Sequence, residues 1–237
     1  MLTFNGKPLP SGVRLLGYTI WSPEIDLRTI DIPSQRGVMR TGSKIGPRSV
    51  RVELVIEANN TWEAASIAAN LRAWCLSDGA AKLKLPRLSS LYLLAECETY
   101  PAPDMAKPWE AVEVSFKCFR PEFLSETEFS AEAPASIVIG GNVSTPLEMT
   151  FTLAAETTNP TWTVDDYTIA LSGTVSAGTV HIYTDPEKAK VTNGLGEDLT
   201  NLVTLESDLA IMLDPGSHTI TAPTGVTGTA KWRNRYI

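Results

Sequence analysis

Long hydrophobic segments are missing from this 237-residue sequence. None of its uncharged apolar runs approaches the roughly 20 residues that a membrane-spanning helix requires, so we expect no membrane insertion. The first residues, from Met1 to Pro8, contain no basic segment followed by an apolar one. We therefore expect no secretion signal, and we expect the chain to fold in a reducing cytoplasm.

Cysteine and histidine are both scarce. The three cysteines are Cys75, Cys97 and Cys118, and in a reducing compartment we expect them to be free thiols in the core. Cys97 and Cys118 each continue an alternating apolar strand pattern, which supports a packing role. The sequence has two histidines. These are too few for most catalytic metal sites, so we expect no metal and no cofactor.

Catalytic motifs are missing as well. The sequence contains no phosphate-binding loop, dinucleotide fingerprint or metal-ligand spacing. His181 lies in an apolar strand pattern and His218 follows a Pro-Gly turn, and neither stands in a nucleophile motif. Asp165 and Asp166 are adjacent in a predicted strand, so their carboxylates point to opposite faces and make a poor acid–base pair. We predict that the protein is not an enzyme.

Charge and threonine are distributed unevenly along the chain. Residues 1–127 contain 15 Lys and Arg against 14 Asp and Glu, a balance of +1, whereas residues 128–237 contain 5 against 13, a balance of −8. Threonine rises from 7 to 19 across the same boundary. This change predicts two domains, 1–127 and 135–237. We expect an irregular joint at 121–134, which has proline at both ends and four Glu.

Alternation of apolar and polar residues predicts that the first domain is mostly β-strand. Each alternating segment would bury one face and expose the other. The segments are 50–57, 82–85, 91–97 and 112–118.

One helix is expected within this β-rich domain. Asn60 and Glu63 have the spacing of a capping box, and apolar residues then recur at helical intervals. We predict a helix over about 60–76 that covers one face of a sheet. Trp62 and Trp74 belong to this segment, and we expect both in the core.

The second domain shows short apolar segments separated by turn signals and no helical period. This spacing predicts a β-sandwich of about a hundred residues. The predicted strands are Ser136–Ile139, Leu147–Ala154, Trp162–Leu171, Thr179–Tyr183, Leu209–Leu213, His218–Thr221 and Thr229–Arg235.

A basic cluster occupies residues 28–51, where six Lys and Arg accompany a single acid. Its Pro and Gly residues predict a long loop, and such loops in compact domains are usually functional. A subunit interface and a solvated loop are the two interpretations that the residues leave open for this cluster. The cluster lacks an aromatic platform and the domain is almost neutral, so we do not expect sequence-specific nucleic-acid binding.

Two other binding chemistries stay open. Thr184–Asp198 carries acidic and amide side chains among turns, and such oxygens suit calcium, although the order of an EF-hand is absent. Trp162 and Trp232 could stack on a sugar, which makes a carbohydrate-binding β-sandwich module the alternative function. An acidic loop and core packing are the simpler interpretations of these two features.

The order of several motifs resembles a known family. Phe4-Asn-Gly6 is followed by Ile30–Met39, and then by Gly46–Ile56, which precedes the predicted helix. The first domain ends on Phe119-Arg-Pro-Glu-Phe123. This order is similar to that of the distal tail proteins of long-tailed, non-contractile (siphovirus-type) bacteriophages. The predicted strand, Pro-Gly turn and strand at 208–220 resemble the late part of the same family.

The resemblance implies a structural role without catalysis. It implies a hexameric ring, single or stacked, at the tail tip of the virion, assembled in the cytoplasm of the host bacterium. The ring would join the tail tube protein to the host-adhesion proteins. The β-rich first domain would form the ring, and the second, a galectin-like β-sandwich, would project outward. A head-to-tail ring needs two unlike patches on each subunit, and the basic cluster could supply one of them. The resemblance places this segment at the subunit contacts, so Arg36, Arg40 and Arg48 are our candidates for the subunit interface, where the planar arginine group can bind carboxylates.

Overall fold

The computed structural model describes residues 1–31, 38–99 and 109–237. The chain divides into two compact units, Met1–Phe123 and Leu124–Ile237. The protein is mainly β, as the alternating patterns predict, with a single α-helix in the described ranges. No helix in these ranges is long and apolar enough to span a bilayer.

The first unit combines one antiparallel sheet, a separate hairpin and helix α1 (Thr61–Cys75). Its strands are β1 (Thr3–Phe4), β2 (Lys7–Pro8), β3 (Val13–Ile20), β4 (Ile25–Asp31), β5 (Val38–Ile45), β6 (Arg48–Glu57), β7 (Ala81–Lys84), β8 (Leu91–Thr99) and β9 (Trp109–Cys118). The sheet has the order β2-β1-β7-β8-β9-β6-β3, whereas β4 and β5 pair with each other.

The core of the first unit lies between α1 and the sheet. Leu71 and Trp74 of the helix are buried with Val52 of β6 and Phe116 of β9. The rings of Phe4, Trp74 and Phe116 form an aromatic cluster with centroid separations of 4.9 to 6.1 Å. Such edge and tilted contacts add stabilisation beyond the area that the rings bury.

The predicted Asn60 cap at the start of α1 is present, but the return bond of Glu63 goes to the residue before the cap. The Asn60 side chain accepts a hydrogen bond from the Glu63 N–H, and the Glu63 carboxylate accepts one from the Asn59 N–H. The prediction that Trp62 lies in the core is wrong, because this side chain is 86% exposed. Trp62 and Trp74 are twelve positions apart, which at about 100° per residue places them on different faces of the helix.

The second unit consists of short strands and one 3₁₀ turn (Thr200–Leu202). Strand β10 (Phe123–Ser125) begins with the last residue of the first unit and continues into the second. The later strands are β11 (Phe129–Ala133), β12 (Ala135–Ile139), β13 (Glu148–Leu153), β14 (Thr157–Thr158), β15 (Thr161–Val164), β16 (Tyr167–Ala170), β17 (Thr174–Val175), β18 (Gly178–Tyr183), β19 (Lys190–Asn193), β20 (Gly216–Thr221), β21 (Thr227–Trp232) and β22 (Arg235–Tyr236).

Two sheets form the sandwich of the second unit. Their strand orders are β11-β21-β13-β18-β19 and β12-β20-β15-β16. Phe151 of the first sheet and Trp162 of the second are both buried, with ring centroids 5.6 Å apart. Leu147, Ile182 and Ile220 belong to the same buried cluster. Apolar side chains from both sheets therefore fill one core, which is the arrangement of a β-sandwich.

Three expectations for the second unit are wrong. The predicted strand Trp162–Leu171 is instead the hairpin of β15 and β16, with Asp165 and Asp166 in its turn. Residues 209–213 do not form a strand, because the Ile211 N–H bonds back to the Leu209 carbonyl and turns the chain locally. The segment 121–134 is not irregular, because β11 pairs along its whole length with β21. The alternation in Phe129–Ala133 is hidden in the sequence by small side chains and one glutamate.

Side-chain contacts add to the pairing of β11. The Phe129 and Trp232 rings stack with centroids 6.0 Å apart. Arg233 donates from Nη1 to the Glu126 carbonyl at 2.6 Å and from Nη2 to the Glu128 carboxylate at 3.1 Å. Residues from about 125 onward are thus part of the second sandwich rather than a free connection.

We expect a fragment comprising residues 124–237 to be more stable than one comprising 135–237. The shorter fragment lacks β11 and uncovers Trp232 and the β21 edge, which should lower the free energy of unfolding by about 2 kcal/mol or more. Urea unfolding followed by tryptophan fluorescence measures the difference. Equal stability of the two fragments would show that β11 is a dispensable extension.

Candidate assembly surface

The β4–β5 hairpin is exposed along almost its whole length. Every residue of β4 is exposed, and β5 has one half-buried position among eight. The two strands pair in register from Ile25 opposite Ile45 to Asp31 opposite Val38, with an irregularity at Arg28. Residues 28–51 were expected to form a long loop, and this expectation is wrong for the described part.

Large apolar side chains on this hairpin face water. Two of its cross-strand pairs, Ile25–Ile45 and Ile30–Met39, are entirely apolar. The exposed fractions of the six apolar side chains run from 49% to 67%, for Ile25, Leu27, Ile30, Val38, Met39 and Ile45. An isolated two-stranded hairpin is only marginally stable in water. Contiguous exposed apolar residues of this kind are typical of an interaction surface.

The base of the hairpin is held by backbone hydrogen bonds to neighbouring residues. The Gly46 N–H donates to the Glu24 carbonyl at 2.7 Å, and the Trp21 N–H donates to the Ser49 carbonyl at 3.0 Å. A side chain at position 46 would begin 3.4 Å from the Glu24 backbone. This is an ordinary van der Waals distance, so the backbone hydrogen bonds, and not the absence of a side chain at position 46, hold the base of the hairpin.

The three arginines predicted at an interface differ in their surroundings. Arg40 lies on β5 and is exposed, with Nη2 donating to Ser43 Oγ at 2.7 Å. Arg36 lies outside the described residues. Arg48 is the first residue of β6 and is only 6% exposed, with its guanidinium 4.5 Å from the centroid of the Phe123 ring.

Arg48 is a buried cation in the body of the first unit. Burial lowers the pKa of its guanidinium, and the nearby Cys118 and Glu122 oppose this shift. Its Nε has no hydrogen-bond partner within the part of the chain that the structure describes. The contact with Phe123 is a cation–π contact, which gains strength where water is excluded. These features favour a role for Arg48 in the stability of the unit.

We expect Arg48→Ala to lower the free energy of unfolding by ~1–3 kcal/mol, because it removes both the cation–π contact and the packing of the buried side chain. Arg40→Ala is the matched control, and it should change stability by less than about 0.5 kcal/mol because the residue is exposed. Chemical denaturation of both variants measures these changes. Equal stability of the two variants would exclude the internal role of Arg48.

A second polar cluster lies in the sandwich of the second unit. His218 Nδ1 is 2.6 Å from the Asp165 carboxylate, and His218 Nε2 is 2.7 Å from the Asp214 carbonyl. Asp165 also accepts from the Thr219 N–H, and Ser144 donates to the Asp214 carboxylate. Because both ring nitrogens face oxygen acceptors, each must carry a proton to be satisfied. Neither nitrogen is placed to take a proton from a nucleophile.

This geometry shifts the titration of both partners. Burial favours the neutral imidazole, but the hydrogen bonds to Asp165 and to the Asp214 carbonyl, together with the two carboxylate charges, outweigh it and raise the pKa of His218. The Thr219 N–H and the His218 ring lower the pKa of Asp165. The cluster thus ties the β15–β16 turn to β20 through a charged histidine.

We expect this cluster to make stability depend on pH. A histidine pKa that is raised in the folded state contributes stability that is fully present below the unfolded value of about 6.5 and is lost as pH rises through the folded pKa. Wild-type protein should therefore unfold at a higher temperature at pH 6 than at pH 9. His218→Gln should reduce this difference, as should Asp165→Asn. Identical pH profiles of the thermal midpoint for wild type and His218→Gln would contradict the assignment.

The residues that suggested sugar or calcium binding have other roles. Trp162 is fully buried and Trp232 is 8% exposed, so neither offers a flat face to a ligand. In the acidic segment, Asn193 Oδ1 accepts from the N–H groups of Leu195 and Glu197 and shapes a local turn. Across the described ranges, no three His, Cys, Asp or Glu side chains converge on a possible metal position.

Sequence reasoning singled out the arginines and missed the apolar side chains beside them. The signal was present, because β-branched and large apolar residues alternate with polar ones from Ile25 to Ile30. The Gly and Pro content of the whole segment outweighed that pattern in the prediction of a loop.

Comparison with known proteins points to phage tails. Residues 140–236 match the family model of the C-terminal domain of siphovirus-type tail components. The chain is similar to the Dit protein of phage SPP1, whose crystal structure is described as a paradigm of the hub adsorption apparatus in phages that infect Gram-positive bacteria. The TM-score is 0.84 at 13% identity, over 100% of this chain and 98% of the other.

Two structures of the phage P2 baseplate in its activated conformation are more distant. With calcium, the TM-score is 0.57 at 9% identity, over 94% of this chain and 91% of that chain. With strontium, it is 0.55 at 10% identity, over 93% and 90%. No curated protein sequence matches the chain.

The chain is mainly β, has two units, and matches phage tail proteins in its fold and, over residues 140–236, in its sequence. Its C-terminal domain belongs to the siphovirus-type tail components, and the chain as a whole has the fold of a distal tail protein. The resemblance to distal tail proteins found in the sequence is thereby confirmed.

Proposed function

We propose that this protein forms a hexameric ring at the tip of a siphovirus-type tail, where it joins the tail tube to the host-adhesion proteins. The observation that carries this proposal is the exposed apolar β4–β5 hairpin. A tail hub protein has neighbours of its own kind, and a projecting hairpin can reach the next subunit. Assembly would take place in the host cytoplasm before the virion is released.

Head-to-tail contact explains why the hairpin is unlike the rest of the unit. In a ring, each subunit offers one surface to the subunit ahead and a different surface to the one behind. The hairpin would be one of these surfaces and would dock on the body of the next subunit. Covering its apolar side chains would gain roughly 25 cal/mol for each Å² removed from water. This gain would also stabilise a hairpin that is weak in isolation.

The charged residues of the hairpin would orient this contact. Arg40 is exposed on β5 and can reach a carboxylate of a neighbour while its stem stays on the hairpin. We propose the same role for Arg36. The burial of Arg48 against Phe123 favours an internal role for that residue instead.

Mass measurement in solution tests the ring. We expect the wild-type chain to form hexamers, or stacked hexamers, at low micromolar concentration in light scattering. The double variant Ile30→Asp, Met39→Asp places two carboxylates on an apolar cross-strand pair and should give monomers. Its circular dichroism should stay β-rich, because both side chains are already more than half exposed.

The double variant Leu195→Asp, Leu205→Asp is the matched control. These side chains are 87% and 105% exposed in the second unit, so the variant adds the same charge away from the hairpin. It should still form hexamers. A monomeric wild-type protein would overturn the ring, whereas hexamers of the hairpin variant would leave the ring intact and exclude the hairpin as its contact.

A further inference from the structure

The five-stranded sheet of the second unit has a polar outer face. Along the neighbouring strands β13 and β18, side chains such as Phe151 and Ile182 point into the core. The alternate side chains lie on the other side of the sheet, and none of them is aliphatic. They form the polar face, which consists of Glu148, Thr150 and Thr152 of β13 and Thr179, His181 and Tyr183 of β18. This face therefore offers hydrogen bonds rather than apolar contact.

Neighbouring side chains hold the two rings of the polar face in position. The Oγ1 of Thr150 lies 3.0 Å from His181 Nδ1. The His181 and Tyr183 rings stack with centroids 6.5 Å apart and an interplanar angle of 26°. The ammonium group of Lys190, on the edge strand β19, lies 5.3 Å from the centre of the Tyr183 ring. Side chains that are already ordered lose less entropy when they bind a ligand.

The polar face also has hydrogen-bonding groups to spare. Among the described residues, His181 Nε2, the Tyr183 hydroxyl and the Glu148 carboxylate have no hydrogen-bond partner. Glu148 is the cross-strand neighbour of Tyr183. The imidazole and the phenol can each donate or accept, whereas the carboxylate accepts and the Lys190 ammonium donates. The face thus combines free donors and free acceptors around one aromatic pair.

At the start of β18 the polar face borders a cleft of about 560 Å³. Thr179 belongs to both, because it lines the cleft and lies on the same side of β18 as His181. This volume falls in the range of small-molecule sites. From Thr179 to Tyr183 the strand covers roughly 13 Å, at about 3.3 Å per residue. The rest of the lining mixes apolar and polar side chains and includes Val175, Ser176, Asn193, Glu197 and Leu199.

We propose that the polar face, together with this cleft, binds a neutral oligosaccharide. The hydroxyl groups of a sugar donate and accept hydrogen bonds, which matches the free groups of His181, Tyr183 and Glu148. The C–H groups of a sugar ring can pack on the Tyr183 ring and on the apolar part of the cleft. A length of roughly 13 Å suits a short oligosaccharide better than a single sugar.

Two other classes of ligand fit this surface less well. An anionic ligand would meet the free Glu148 carboxylate, and residues 128–237 carry 13 acidic against 5 basic side chains. A protein partner usually buries an apolar centre, which this face lacks. The site does not depend on the proposed ring, because all of its residues belong to the second unit.

The outer face of the other sheet provides an internal comparison. There the hydroxyl groups of Thr163 and Thr221 are 2.7 Å apart, and those of Ser136 and Thr219 are 3.5 Å apart. These hydroxyls engage each other across the strands, so they are less available to a ligand. Substitutions on that face are therefore the matched control for substitutions on the polar face.

Binding by the full-length protein tests the proposal. The protein is screened on an array of short oligosaccharides of neutral hexoses and N-acetylhexosamines, with sulfated and carboxylated oligosaccharides on the same array. We expect neutral oligosaccharides to bind. The strongest of them is then titrated in solution by isothermal titration calorimetry, which measures the affinity of each site whether or not the protein forms a ring.

Variants of the polar face locate the binding. His181→Ala and Tyr183→Ala should each weaken the affinity by about tenfold or more. Tyr183→Phe keeps the ring and removes only the hydroxyl, so it should weaken binding less than Tyr183→Ala. The double variant Thr163→Ala, Thr221→Ala should bind like the wild-type protein.

Three results would overturn the proposal. They are the absence of binding to every neutral oligosaccharide up to millimolar concentration, binding of acidic oligosaccharides alone, and unchanged affinity in both alanine variants of the polar face. Circular dichroism shows whether each variant is folded. If the alanine variants are not folded, Tyr183→Phe decides, because wild-type affinity in this variant would exclude the Tyr183 hydroxyl and with it the proposed site.

Discussion

A hairpin of only two strands leaves its faces exposed to water unless another surface packs on them, and the β4–β5 hairpin is in this situation. It has no third strand beside it in the described residues, so its apolar pairs stay in water until another surface covers them. Gly46 and Glu24 close the base of the hairpin, and Trp21 and Ser49 are joined by a backbone hydrogen bond immediately outside it. An exposed hairpin on a well-packed body suits a protein that functions in contact with other subunits.

The basic side chains of this region serve different purposes, although they are close in sequence. Arg40 projects from an exposed strand, and its Nη2 donates to Ser43 Oγ on the same strand. Arg48, eight positions later, packs on Phe123 within the first unit. The change occurs because the chain passes between these positions from the hairpin to β6, whose side chains alternate between buried and exposed. A charged residue in the sequence therefore indicates an interface only when the backbone places its side chain on the surface.

The sequence predictions succeeded where one short segment contains the whole signal. Asn60 and Glu63 define the start of α1 through bonds that span three residues, and the alternation at 50–57 identifies β6 without reference to the rest of the chain. They failed where the structure depends on distant partners. The β11 strand is stabilised by pairing with β21, about a hundred residues later, and its own residues carry little β signal. Trp62 and Trp74 differ in exposure because just one of their helix faces meets the sheet.

Short stretches of the sequence were sufficient to predict the β-rich fold class, the single helix with its cap, and the resemblance to distal tail proteins. Each of these depends on residues that are close in the chain and on side-chain periods that the backbone imposes. The apolar hairpin surface, the internal position of Arg48 and the His218–Asp165 contact depend on the tertiary structure. Each of these brings together, or separates, side chains whose positions in space follow from the packing of sheets and helix.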